Sequence, residues 1–250
     1  MEASLEENYR RIKDEIGEAA ARVKRPAHDV LLVAVTKYAT PDQIRALVEL
    51  GHGDLGESRV QQLAQRVPQL EEFLDRKRTL AGAAPPRELP EQVRWHMIGH
   101  LQRNKAKQVV PLVCLIHSVD SLRLAEELDT LGHRFDQMID ILLQVNTSGE
   151  QSKYGVAAPA AVHLAEQLDT MMNIRLRGVM AMAPYSDNPE DARPTFARAA
   201  EIFHELRSAK VGGNDLTVLS MGMSNDFQVA IEEGANLVRI GRGLFGDPYT

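Results

Sequence analysis

Cysteine occurs once in the chain, so no disulfide can form within it. That cysteine, Cys114, lies in the apolar run Val113-Cys114-Leu115-Ile116, which predicts a buried, inert thiol rather than a nucleophile. No apolar run reaches the roughly eighteen residues a membrane-spanning helix needs, and the N-terminal stretch reads as a charged amphipathic helix without a signal-peptide core. A basic excess is also missing: 29 Lys and Arg stand against 35 Asp and Glu. That balance argues against binding along a phosphate backbone, and leaves Arg103-Asn104-Lys105-Ala106-Lys107 as a local, solvated cluster. A soluble cytoplasmic protein with no membrane or nucleic-acid partner is the expectation.

What the chain does have is alternation. Apolar runs of strand length recur between stretches of helical period, the pattern of repeated β-α units around a parallel sheet. Strands are expected at Val30 to Val35, His52 to Leu55, Val93 to Ile98, Val113 to His117, Ile139 to Val145, Ile174 to Met180, Leu216 to Ser220 and Asn236 to Ile240, the second being the weakest. Between them, Thr40 and Pro41 open a helix to Leu50, and Asp120 or Ser121 caps Leu122 to Leu131. At roughly thirty residues per unit, eight units fill the chain. The expected fold is therefore an α/β class TIM-type (β/α)8 barrel with an extra N-terminal helix, one domain over residues 1–250; an open doubly wound sheet is the alternative. Residues 77 to 92, with Pro85, Pro86 and Pro90, read as a long, mobile surface loop.

Such barrels place their chemistry at the C-terminal ends of the strands. Lys37 follows the continuous strand Leu31 to Thr36, which would put its amine at the barrel mouth beside low-dielectric walls and favour the free base that attacks an aldehyde. Position alone fits an ordinary exposed lysine as well. The loops after the last two strands decide between them: Ser220-Met221-Gly222-Met223-Ser224-Asn225-Asp226 and Gly241-Arg242-Gly243-Leu244-Phe245-Gly246 occupy the usual phosphate site of the fold. Ser224 could cap the next helix and offer its hydroxyl and N–H, while glycines let the main chain approach an anion. A lysine amine opposite a phosphate pocket suits a phosphorylated carbonyl substrate or a phosphorylated aldehyde cofactor.

These segments also carry a family resemblance. Leu32 to Lys37, Gly56 to Gln61, His96 to Lys105, His117 to Ser121, Gln144 to Asn146, Gly178 to Met182, Leu219 to Asp226 and Val238 to Gly241 together resemble the pyridoxal-phosphate homeostasis proteins, whose barrel is similar to the N-terminal domain of bacterial alanine racemase. The resemblance implies pyridoxal 5′-phosphate (PLP) as cofactor, an internal aldimine on Lys37, a phosphate held by Ser224 and the backbone of Gly241 and Arg242, and Arg239 facing the pyridine nitrogen. A guanidinium beside that nitrogen would leave it unprotonated and make the ring a poorer electron sink. Read without the family, Arg239 fits an interior salt bridge equally well. Ser58 departs from the family's asparagine, which puts in doubt any cofactor contact made by that amide. Met223 could pack near the cofactor. Lys153, after the fifth strand, matches a family position for a secondary amine, although an exposed loop lysine is the simpler reading.

His96 and His100 stand four apart, but on a strand interrupted by Gly99 rather than on a helix, so no metal site is expected; His96 reads as an inward, hydrogen-bonded residue. Two functions compete. One is a carrier that holds PLP as a Schiff base, buffers it and delivers it to PLP-dependent apoenzymes. The other is a racemase or decarboxylase working from the barrel alone. Alanine racemase takes a catalytic tyrosine from a second domain, and this sequence stops at Thr250 just after the eighth strand, which favours a non-enzymatic carrier. A monomer is expected, because a closed sheet leaves no edge to pair.

Overall fold

A computed structural model describes residues 4–81, 89–149 and 154–246. The chain opens with α1 (Leu5–Arg22), whose first turn is closed by a capping box between Ser4 and Glu7. Parallel strands then follow in sequence: β1 (Leu31–Val35), β2 (Asp54–Glu57), β3 (Arg94–Met97), β4 (Leu115–Val119), β5 (Ile139–Asn146), the short β6 (Val156–Ala157), β7 (Ile174–Met180), β8 (Val218–Ser220) and β9 (Leu237–Ile240). Their order is β4-β3-β2-β1-β9-β8-β7-β5, and pairing of β4 with β5 closes the ring. β6 is a spur on β5. Eight strands thus form the barrel expected from the alternation, ringed by α2 (Pro41–Glu49), α3 (Val60–Ala81), α4 (Ala106–Val109), α5 (Leu122–Phe135), α6 (Ala161–Asp169), α7 (Arg193–Ser208) and α8 (Phe227–Glu232), with α9 (Arg242–Phe245) after the last strand.

Alternation along the strands divides the core in two. Leu32 and Ala34 of β1, Ile141 and Leu143 of β5 and Val238 and Ile240 of β9 face the helices, where Ile12, Ile16, Leu47, Leu128 and Phe196 are buried against the sheet. Val33, Leu115, Leu142, Met180 and Leu237 pack inside the ring. Buried polar side chains, Asp54, His96, His117, Ser220 and Arg239 among them, share that interior.

Several boundaries differ from the sequence reading. The weak strand expected at His52 to Leu55 begins at Asp54, because Gly51 turns the chain at φ +86° and His52 folds inward to bond the Asp54 carbonyl (2.9 Å) and the Tyr9 hydroxyl (3.4 Å). Its inward Gly56 and ion-paired Glu57 erase the apolar pattern that would have extended it. Residues 77–81 of the expected loop continue α3, and Arg78 donates to the Glu91 carbonyl at 3.1 Å; residues 82–88 lie outside the described residues. Thr40 forms a capping box with Gln43, whereas Ser121 occupies its N-cap position without a side-chain bond. Cys114 is exposed rather than buried, since it precedes β4 at the barrel floor. Its sulfur nevertheless points inward, 3.7 Å from His96 Nε2, and desolvation of that atom followed by the charge of Asp54 pushes the thiol up to about 12. The inert reading of the thiol fits that environment.

Burial of His52 makes the stability of the fold depend on pH. Burial, only partly offset by the bond to Asp54, lowers His52 from 6.5 to about 4. The unfolded chain therefore binds the extra proton first, so the His52 contribution is complete above pH 6.5, shrinks as pH falls and is exhausted below about pH 4. Urea denaturation at pH 7 and pH 4 is expected to differ by roughly 3 kcal/mol from this group. In His52→Gln the difference should narrow; His117, also held well below its ordinary value, contributes with the same sign and should keep it from vanishing.

Candidate functional site

The C-terminal ends of the strands surround a cavity of about 420 Å³. Every described residue singled out in the sequence as a cofactor contact lines it: Lys37, Ser58, Met223, Ser224, Arg239, Gly241 and Arg242. Lys153 lies outside the described residues.

Lys37 emerges after β1 and is exposed, its Nζ 4.9 Å from the centroid of the Tyr38 ring; the sheltering walls expected from the sequence do not enclose it. Its backbone is strapped down from below. Arg66 of α3 donates to the Thr36 carbonyl (2.5 Å) on one side of Lys37 and to the Ala39 carbonyl (2.9 Å) on the other. The same guanidinium meets Glu57 at 2.6 Å. Glu57, with no exposed surface, also accepts from the Thr36 hydroxyl (3.0 Å) and from the N–H groups of Ser58 (2.7 Å) and Arg59 (3.3 Å), so its carboxylate is fully partnered. Ser58 itself is pinned from above: a Cβ on Gly99 would lie 2.3 Å from the Ser58 carbonyl oxygen, and only glycine permits that approach.

Across the mouth, the loop after β8 turns at Gly222 (φ +89°), where a Cβ would strike Phe227 and Ala230. Ser224 does not cap α8 as the sequence suggested. Asp226 takes the N-cap position and accepts from the Met223 N–H at 2.6 Å, while the Ser224 hydroxyl accepts from the Gly243 N–H at 3.1 Å and ties the two terminal loops together. The N–H groups of Ser224, Asn225, Gly241 and Arg242 find no acceptor among the described residues. The extra helix braces this corner: Asn8 and Arg11 of α1 donate to the carbonyls of Leu244 (3.2 Å) and Gly243 (3.1 Å).

Arg239 is almost wholly buried at the cavity wall and makes no salt bridge among the described residues, contrary to the interior ion pair that was its alternative reading. It donates to the Ser220 hydroxyl and to the Ala181 carbonyl (3.0 Å), and burial lowers it to about 10. Burial also raises Asp226 above the ordinary carboxylate value, against the opposing Met223 N–H and the charge of Arg239. Lys37, Arg239 and Arg242 against Asp226 make the cavity wall net cationic, which suits an anion.

The sequence reading missed the aromatic part of the site. Tyr38, His100, Tyr154 and Tyr185 also line the cavity; His100 stacks on Tyr154 with ring centroids 4.1 Å apart and has Asp120 at 3.7 Å. Each follows a strand, so their positions after apolar runs were the available signal. His96 is inward and hydrogen-bonded, as its place in a strand suggested.

The family model for the alanine racemase N-terminal domain matches residues 2–248. A pyridoxal phosphate homeostasis protein of Aquifex aeolicus is 36% identical over 242 residues, covering 96% of this chain and 97% of its own. The chain belongs to that family. A family member from Pseudomonas aeruginosa is 34% identical over 244 residues, covering 98% of this chain and 96% of its own. Among solved structures, PipY of Synechococcus elongatus PCC7942 with PLP bound superposes with a TM-score of 0.74 at 31% identity, over 92% of this chain and 100% of PipY. An alanine racemase of Clostridium difficile, at 14% identity and a TM-score of 0.69, shares the barrel fold.

Arg66→Ala would leave the Glu57 carboxylate buried without its cation, and is expected to cost about 3–5 kcal/mol in chemical denaturation. Arg66→Ala combined with Glu57→Gln should recover part of that loss, because the unpaired charge is gone. Equal destabilisation of the single and double variants would show that the clamp is not an ion pair.

Proposed function

We propose that this chain binds pyridoxal 5′-phosphate in the barrel mouth and serves intracellular PLP homeostasis, carrying the cofactor on Lys37 and buffering or delivering it. The observation that carries this reading is that one cavity gathers a lysine amine, the unengaged N–H groups of two loops and a buried arginine. A phosphorylated pyridine aldehyde needs each of these. The cofactor supplies an aldehyde with which a primary amine condenses, the new C=N bond replacing the C=O bond as its oxygen leaves as water. Lys37 is the amine, and its exposure lets the aldehyde reach it without opening the barrel. Ser224 and the main chain of Gly241 and Arg242 hold the phosphate; any non-proline side chain would serve at Arg242, since the contact is by backbone N–H. Arg239 turns only donors toward the ring.

The carrier reading is further supported by relatives named for PLP homeostasis and by PipY, whose structure contains PLP. We read residues 1–250 as one PLP-binding domain, monomeric and cytoplasmic, with PLP-dependent apoenzymes as recipients. No described helix is long and apolar enough to cross a membrane.

Protein reconstituted with PLP is expected to be yellow, and borohydride reduction followed by peptide mass spectrometry should place the adduct on Lys37. Lys37→Ala should lose the reduced adduct while retaining phosphate-anchored PLP. An adduct unchanged in that variant would reject the assignment and move attention to Lys153. Steady racemisation or decarboxylation of amino acids above the free-cofactor background would instead assign a barrel-only enzyme.

A further inference from the structure

The barrel interior holds a continuous line of polar side chains where branched apolar residues usually pack. Asp54 opens β2 at the floor, His96 and His117 lie midway in β3 and β4, Ser220 ends β8, and Arg239 of β9 reaches the cavity. All five are buried. Asp54 Oδ1 lies 3.1 Å from His96 Nε2, His96 Nδ1 lies 3.0 Å from His117 Nε2, and His117 Nδ1 lies 3.1 Å from Ser220 Oγ, which accepts from Arg239. At the floor Arg94 donates to the second Asp54 oxygen at 2.6 Å.

The two ends fix every hydrogen between them. Arg239 can only donate, so Ser220 accepts from it and turns its own hydrogen to His117 Nδ1. His117 then carries its hydrogen on Nε2 and gives it to His96 Nδ1, and His96 carries its own on Nε2 and gives it to the Asp54 carboxylate. The guanidinium at the mouth and the carboxylate at the floor are thus joined through neutral groups with no donor or acceptor left over. Burial above all, with the charge of Arg239 acting in the same direction, holds His117 well below the ordinary imidazole value, which suits a neutral link. Burial acts to raise Asp54, but the bonds from His96 and Arg94 outweigh it and keep the carboxyl below its usual value, which suits the anionic end. An added proton on His96 would turn both imidazoles to donate toward Ser220 and strip its hydrogen of an acceptor.

We propose that Ser220, His117, His96 and Asp54 are positioning residues for Arg239: through this relay they fix the guanidinium against the pyridine nitrogen of bound PLP and thereby set how readily that ring titrates. This rests on the reading that PLP occupies the mouth with its ring toward Arg239. The titratable and charged groups facing the relay are Arg94 of β3, Cys114 before β4, His52 before β2 and Asp226 after β8.

The test compares wild type, Ser220→Ala, Ser220→Thr and Asp54→Asn, each reconstituted with PLP. Absorbance and fluorescence of the bound cofactor are followed from acid to alkaline pH, alongside borohydride trapping. Ser220→Ala and Asp54→Asn are expected to keep the Lys37 adduct yet move the titration midpoint by about half a unit or more and weaken PLP binding by about threefold or more. Ser220→Thr, which restores the hydroxyl, should return both toward wild type. Should Asp54→Asn not fold, the Ser220 pair decides alone. A trapped adduct with an unmoved midpoint in Ser220→Ala overturns the relay, as does a shift that Ser220→Thr does not reverse. Absence of any wild-type adduct on Lys37 would instead overturn the cofactor reading beneath it.

Discussion

Closure of the parallel sheet is the constraint on which everything else depends. Once β4 pairs with β5 and β1 with β9, every second residue of eight strands faces a shared interior, and every strand end opens on a common rim. Residues from opposite ends of the chain then share one wall. Lys37 and Arg242 come together for this reason and not through any local motif. Closure also explains why the site needs no second layer of support: the helices that bury the outer face supply the tethers, Arg66 from α3 under the first loop and Asn8 and Arg11 from α1 under the last.

Burial of Arg239 is the most demanding feature inside the ring. A lone charge removed from water costs several kcal/mol, and a contacting carboxylate would be the usual remedy. A direct ion pair would also occupy the guanidinium. The carboxylate whose charge acts on it is instead Asp226, on the loop after β8, which does not bond it, while the Ser220 hydroxyl and the Ala181 carbonyl accept its hydrogens. The arginine is compensated while part of its donor edge still faces the cavity.

The amino-acid pattern made the barrel legible because strands buried on both faces are strongly apolar, and β1 and the Ile141 to Leu143 stretch of β5 stand out for that reason. β2 was read two residues early, because Asp54, Gly56 and Glu57 are unlike any apolar strand and acquire their burial only through partners on α3 and β3. The cofactor-facing residues were legible from their places after strands and from the family resemblance. What local pattern could not carry was partnership at a distance. Ser224 looked like a helix cap and bonds a loop nineteen residues away; Cys114 looked like core and sits exposed at the floor. His96 and His117, each plausible as an isolated buried imidazole, become a chain only when the register of β3 against β4 is known.

The Arg66 strap has a kinematic consequence for Lys37. With the carbonyls before and after it both anchored, the peptide segment cannot swing as a flap, and the amine moves only by rotation about its own aliphatic bonds. Its reach is accordingly a small sphere centred on a stationary Cα, wholly within the rim. A nucleophile hung in this way meets an incoming carbonyl from nearly the same spot at every encounter, and cargo attached to it stays beside the opening from which it must depart.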